Sequence, residues 1–289
     1  MLQSLFDYLT EDMSGIGKNL IKVPESLYKT LVNKVFSQYL AYINMKDPVL
    51  AQEFSRMYRI PIADNFKMEN ETIRINASTE DLPKKMQDNW QLTFGFIRLM
   101  IDWEQKIWAD RPKVNASYEE SDAHGLQGYF TINPKRLMDL MNKVDYTKKE
   151  VHEIFKMMSS TLYHESTHAV QHNCLKWLDK NQIGKSRVVR DNPLSSKTER
   201  RMEYLSSQVE FDPTIKTKIG QFQREYAGKD LLKSLAIFVG GITVKDQEPD
   251  EFFAALKKTD IKRWKKAVKK FYMNYDLEIE KLLLDIPEQ

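Results

Sequence analysis

Hydrophobic positions recur at helical spacing from the stretch ESLYKTLVNKVFSQYLAYI onward, and the pattern runs from residue 25 to about 60, next to Pro61. A proline at that point ends a helix, so residues 25–60 are expected to be helical. The next patterned stretch, ETIRINA (71–77), alternates instead and puts Ile73, Ile75 and Ala77 on one face, as a strand does. MQDNWQLTFGFIRLMIDWEQKIWAD (86–110) returns to helical spacing, predicting a helix that stops before Pro112 and sends its Trp and Met side chains into the core. Two more alternating stretches follow, KVNASY with Val114, Ala116 and Tyr118 on one side, and LQGYFTIN. With the polar EESDAHG between them they predict a hairpin.

Asn133-Pro134 carries the start signal of a short helix. Thr147 and Glu150 form a capping box, after which Val151, Ile154, Phe155, Met158 and Leu162 recur at helical spacing. They predict one long helix over about 148–178. Residues 180–198 are polar and basic with Gly and Pro, as loops are, and the C-terminal third is mostly helical. Within it, LLKSLAIFVGGITV (231–244) reads as a buried helix stopped by Gly240 and Gly241. KKTDIKRWKKAVKKF (257–271) lines up Ile261, Trp264, Val268 and Phe271 as one stripe, a helix packed on the core with a solvated lysine face. The sum is an α+β fold, mostly helical around a small mixed or antiparallel sheet. Three regions are expected: an N-terminal helical region 1–65, a core 66–230, and a C-terminal helical region 231–289 packed on it.

Composition narrows the class. The chain has 289 residues, 42% hydrophobic and 29% charged, which suits a globular fold with a real core. A net charge of +3 does not by itself imply a nucleic-acid partner. The single cysteine, Cys174, excludes an intramolecular disulfide and fits a reducing compartment. The opening stretch has no basic n-region, and Asp7, Glu11 and Asp12 interrupt its apolar residues, so it does not read as a signal peptide. No apolar run is long enough to span a bilayer. The expected location is cytoplasmic. SGIGKNL near the start lacks the spacing and the Ser/Thr of a phosphate loop.

The chemistry concentrates in TLYHESTHAVQH, which holds three of the five histidines. His164-Glu165-Ser166-Thr167-His168 is an H-E-x-x-H stretch on the predicted long helix. Histidines four apart share one helix face and can close on one zinc ion, while the Glu between them flanks that face as a general base. A catalytic zinc takes a third protein ligand. His172 lies eight residues past His164, about 12 Å along a continuous helix, too far to share the ion. The stretch EYLSSQVEFD offers Glu210, with Ser207 as a possible N-cap. Glu199, Glu203 and Asp212 compete as ligands, and Pro213 argues against a long helix there.

HESTHAVQH followed some forty residues later by YLSSQVEFD resembles the gluzincin zinc metallopeptidases, and is most similar to small single-chain members from bacteriophages and bacteria. Their pattern is H-E-x-x-H-x-x-Q, then a Tyr-containing segment ending in Pro-[Ile/Val]-Glu-x-x-Ala. His164, Glu165, His168, Gln171, Tyr204, Val209 and Glu210 match it; Gln208 and Pro213 stand where Pro and Ala are usual. The resemblance implies a zincin-like fold with the sheet packed on the H-E-x-x-H helix. It implies zinc held by His164, His168 and Glu210, and peptide hydrolysis with Glu165 as base. Tyr204, or less strongly Tyr163, would stabilise the oxyanion. An edge strand would bind extended peptide, with LQGYFTIN as the candidate. The substrate would be a protein or peptide. The N- or C-terminal helices could dock a protein partner, and a phage-encoded chain would act in host cytoplasm or virion. Competing readings are a virion structural or interaction protein on the same scaffold, or an amidase acting on a non-protein bond.

Overall fold

The computed structural model describes residues 23–64, 71–74, 96–120, 126–174, 210–226, 229–245 and 247–275. The fold is α+β, with eight helices and four strands among the described residues. These fall into two compact units, 23–174 and 210–275.

In the first unit, helix α1 (Glu25–Lys46) ends at Asp47, whose side chain accepts the Leu50 N–H and opens α2 (Pro48–Tyr58). Pro48 sits where a helix N-terminus tolerates proline. The expected helix over 25–60 is therefore two helices with a one-residue joint. Strands β1 (Glu71–Arg74), β2 (Phe96–Ile101), β3 (Ala116–Glu120) and β4 (Leu126–Ile132) make a mixed sheet in the order β1-β2-β4-β3. β1 is antiparallel to β2, β2 parallel to β4, and β4 antiparallel to β3. The β3–β4 hairpin agrees with the pattern of its sequence.

Two expectations fail here. Residues 96–101 are a strand, not the middle of a helix over 86–110; residues 86–95 lie outside the described set. In FIRLMI the buried residues are Ile97, Leu99 and Ile101, with Arg98 and Met100 less buried between them, a period of two. Helical spacing over the whole stretch includes Trp103 and Trp108, which are buried for another reason. The buried Asp102 carboxylate accepts the N–H groups of Lys106 (3.1 Å), Ile107 (2.7 Å) and Trp108 (3.3 Å), tying the chain into a turn as the strand ends. The second failure concerns LQGYFTIN. β4 lies between β2 and β3, so its backbone groups are used on both sides and it is not an edge.

Helix α3 (Lys135–Met141) starts where expected, with Asn133 Oδ1 accepting the Lys135 N–H at 3.0 Å. Helix α4 (Lys148–Cys174) follows the capping box: Glu150 N–H donates to Thr147 Oγ1 (3.2 Å) and Thr147 N–H to Glu150 Oε2 (2.8 Å). Val151, Phe155, Met158 and Leu162 form its fully buried ladder. Phe155 meets Phe36, Tyr39, Phe54 and Tyr58 at ring-centroid distances of 4.6–5.9 Å. β3 and β4 pack on α4. The Tyr118 ring lies across Gly128, where any side chain would collide with it.

In the second unit, α5 (Phe211–Tyr226) runs through Pro213, so the expectation that this proline excludes a long helix is also corrected. Pro213 falls in the first turn, where N–H groups have no helical partner to lose. Helix α6 (Leu231–Phe238) stops at Gly240, whose φ of +70° suits glycine. Helices α7 (Glu251–Thr259) and α8 (Ile261–Tyr272) meet at Asp260, which caps α8 by accepting the Lys262 and Arg263 N–H groups. Trp264, Val268 and Phe271 of the expected stripe are buried, whereas Ile261 is 48% exposed. No helix among the described residues is long and apolar enough to cross a membrane.

Candidate metal centre

The two motif histidines occupy the second half of α4, held there by the apolar ladder and the cap at its start. Four residues of helix turn them onto one face. Their Nε2 atoms stand 3.2 Å apart, with ring planes at 72°. Two nitrogens each about 2.0–2.1 Å from a tetrahedral zinc would stand about 3.3–3.4 Å apart. The pair therefore fits one ion without rearrangement.

His168 is buried, and its Nδ1 faces Gln171 Oε1 at 2.9 Å. An amide oxygen only accepts, so the ring donates from Nδ1 and its Nε2 keeps the lone pair a metal needs. Gln171 is itself 2% exposed, so this contact is shielded from water. Gln171 entered the sequence reading as a motif match without a function. The signal was available, since a Gln three residues after a His shares its helix face.

Glu165 projects beside the histidine pair toward β3, and its Oε2 accepts the Tyr118 backbone N–H at 2.8 Å. In the hairpin, the neighbouring Asn115 pairs with Asn133 across to β4 (2.8 Å), which puts the Tyr118 N–H on the opposite side of β3. The carboxylate is thus anchored to the strand packed on its own helix. A backbone donor leaves no trace in the sequence, so this partner could not be found from the residues alone.

Glu210, the residue before α5, is buried, and its carbonyl accepts the Thr214 N–H at 2.9 Å, so it stands at the N-cap of that helix. His164 and His168 belong to the first unit and Glu210 to the second; two imidazoles and a carboxylate are of the right chemical type to hold a metal ion. Of the competing acids, Asp212 is engaged by Lys270 Nζ at 2.5 Å. Glu199, Glu203, Ser207 and the oxyanion candidate Tyr204 lie outside the described residues. Tyr163, the other oxyanion candidate, is a core residue. Its ring meets Tyr28 edge-on at 5.3 Å, and burial pushes its phenol up to about 12. α4 continues unbroken past position 172, consistent with the distance that separates His172 from the pair. His152, about one turn into α4, stacks on Tyr58 and bonds its hydroxyl at 2.8 Å; burial lowers its pKa.

Compared with known protein families, curated proteins and solved structures, the chain matches none.

Proposed function

We propose that this chain is a zinc-dependent peptidase of gluzincin type, with His164, His168 and Glu210 as the metal ligands and Glu165 as the general base. The observation that carries the reading is the 3.2 Å approach of two Nε2 atoms on one helix, with a carboxylate anchored beside them. A helical pair of histidines with no such purpose has no reason to converge, to fix one tautomer through a buried amide, and to flank a braced acid. The sheet packed on α4 supports a zincin-like architecture.

Zinc, when bound, supplies a Lewis acid for the scissile carbonyl and lowers the pKa of a coordinated water toward about 7. The chain's own residues do the rest. Gln171 fixes the His168 ring through Nδ1, which would leave the Nε2 lone pair for the metal. Glu165 takes a proton from the attacking water on its carboxylate and returns it to the leaving amine. The Tyr118 N–H on Oε2 keeps that carboxylate oriented. β3, an outer strand of the sheet, replaces β4 as the strand that would pair with extended substrate, through outward backbone groups other than the Tyr118 N–H that Glu165 holds.

The test is the metal content of purified protein beside digestion of a peptide library and of peptidoglycan. About one zinc per chain is expected, with peptide cleavage that chelator abolishes and Glu165→Gln removes while zinc stays bound. Protein that purifies without metal and fails to take up added zinc overturns the reading. So does cleavage that survives Glu165→Gln, whereas release of peptidoglycan fragments alone would move the activity to the amidase class.

A further inference from the structure

We infer that the exposed face of the α7–α8 corner binds the phosphate backbone of a nucleic acid. Residues 257–270 contain eight lysine or arginine side chains and one carboxylate, Asp260. Lys269 and Lys270 are buried and Lys270 pairs with Asp212, which leaves six exposed cations, Lys257, Lys258, Lys262, Arg263, Lys265 and Lys266, against the one carboxylate of the segment in a chain whose net charge is +3. Four acids of the same unit, Glu225, Glu248, Asp250 and Glu251, line a cavity of about 320 Å³ that also holds Lys218, whose Nζ pairs with Asp250.

A helix that only needs a soluble face intersperses acids and bases at i and i+4, because those pairs stabilise it. α8 has no carboxylate from Ile261 to Tyr272, and it sets Lys262 against Lys266 and Lys265 against Lys269 at that spacing. Like charges so placed destabilise a helix. Packing does not demand them either, since the apolar stripe of α8 points the other way, with Trp264, Ala267, Val268 and Phe271 buried. Lys258, Lys262, Arg263, Lys265 and Lys266 are all exposed. Asp260, the lone acid, accepts two N–H groups at the α8 N-cap through Oδ1 and lies 3.5 Å from Arg263 Nε through Oδ2, so it offsets one of these cations.

Such a face fits a dense row of negative charge. A bilayer-surface helix would insert its apolar stripe between lipids, and here that stripe is committed to the protein core. A phosphate backbone needs only cations held at the surface. The inference uses none of the proposed metal ligands and stands whether or not the chain is a peptidase.

The experiment is fluorescence anisotropy of a labelled 20-base-pair DNA duplex with the full chain at 50–200 mM KCl. Binding is expected to weaken with salt, with a slope of log K against log salt of about −3 for three to four phosphate contacts. The triple variant Lys258→Gln, Lys262→Gln, Lys266→Gln should weaken binding at 50 mM at least tenfold and flatten the slope by about 2 to 3. All three side chains are exposed, so circular dichroism should be unchanged. A control triple of equal charge change, Lys29→Gln, Lys143→Gln, Lys149→Gln, uses exposed lysines of the first unit and should bind like wild type. Equal loss in both triples, no binding at 50 mM, or capture by phosphatidylserine vesicles but not by duplex would each overturn the proposal.

Discussion

Helices α4 and α5 both bury polar side chains that a core would ordinarily reject, and they keep them by different means. On α4 the buried groups make directional hydrogen bonds: His168 Nδ1 donates to Gln171 at 2.9 Å, and Thr167 Oγ1 donates to the Tyr163 carbonyl one turn back at 3.0 Å. On α5 they are charged. Asp212 pairs with Lys270 at 2.5 Å, and Lys216, 2% exposed, lies one turn from Asp212. Burial pulls the Lys216 amine down to about 7; Asp212 opposes this and Lys270 adds to it. A directional hydrogen bond specifies geometry, whereas a buried base stores a stability that depends on pH. Damage to α4 should therefore show in metal and chemistry, and damage to α5 in pH-dependent stability.

The largest effect expected on the α4 side is the loss in Glu165→Gln, about 10²- to 10⁴-fold in hydrolysis for a general base, with zinc content and unfolding midpoint unchanged. A variant that lost zinc in parallel would place Glu165 among the ligands and erase the division of labour within the motif.

On the α5 side the sign follows from the shift. Lys216 has a folded pKa of about 7 and an ordinary value of 10.5. Between those values the unfolded chain binds the proton and the folded chain does not, so stability rises with pH across that window. Below about pH 7 both states are protonated and the cost of the buried charge is paid in full. For one proton the slope is at most about 1.4 kcal/mol per pH unit. Urea unfolding at pH 7.5, 8.25 and 9 should show that slope in wild type and a flatter one in Lys216→Met. Parallel slopes would mean that the amine stays charged in the fold.

A smaller effect separates Gln171 from a mere filler of space. Gln171→Leu should weaken zinc binding about 10- to 100-fold, because nothing then fixes the His168 ring, while Gln171→Glu keeps an acceptor and should retain affinity. Competition with a chromophoric chelator measures both. Equal affinities for Leu and Glu would show that the 2.9 Å contact positions nothing.

The same contrast explains what the sequence made legible. α4 could be read because three local signals agree along it: the Thr147–Glu150 cap, a ladder of apolar residues, and histidines at the helical repeat. Each of these acts within a few residues, so sequence spacing carries it. β2 is ambiguous in the sequence because FIRLMI satisfies both periods, and what decides between them is pairing with β1 and β4 together with the Asp102 turn, all set by residues the local pattern does not contain. The position of β4 inside the sheet was hidden for the same reason, since strand order is a tertiary property. On α5, Pro213 breaks a helix only if the helix starts well before it; three residues past Glu210, in the first turn, it costs the helix nothing. The bracing of Glu165 by a backbone N–H and the burial of Lys216 had no local signal at all.

The smallest expected effect isolates the frame of α4 from its chemistry. Thr147 and Glu150 bond each other's N–H groups at the exposed start of the helix, and those bonds from Thr147 hold the Glu150 carboxyl below its ordinary range. Thr147→Ala removes one half of the box and should cost about 1 kcal/mol of stability. Glu150→Gln keeps a side-chain acceptor for the Thr147 N–H and should cost less. His164 stands about 24 Å along the axis from the first turn. If the helix only carries the histidines, zinc affinity should be the same in both variants as in wild type, though the unfolding midpoint falls. A drop in affinity with Thr147→Ala would mean that strain at the cap reaches the metal ligands, and α4 would then have to be treated as one mechanical element rather than a frame with a site on it.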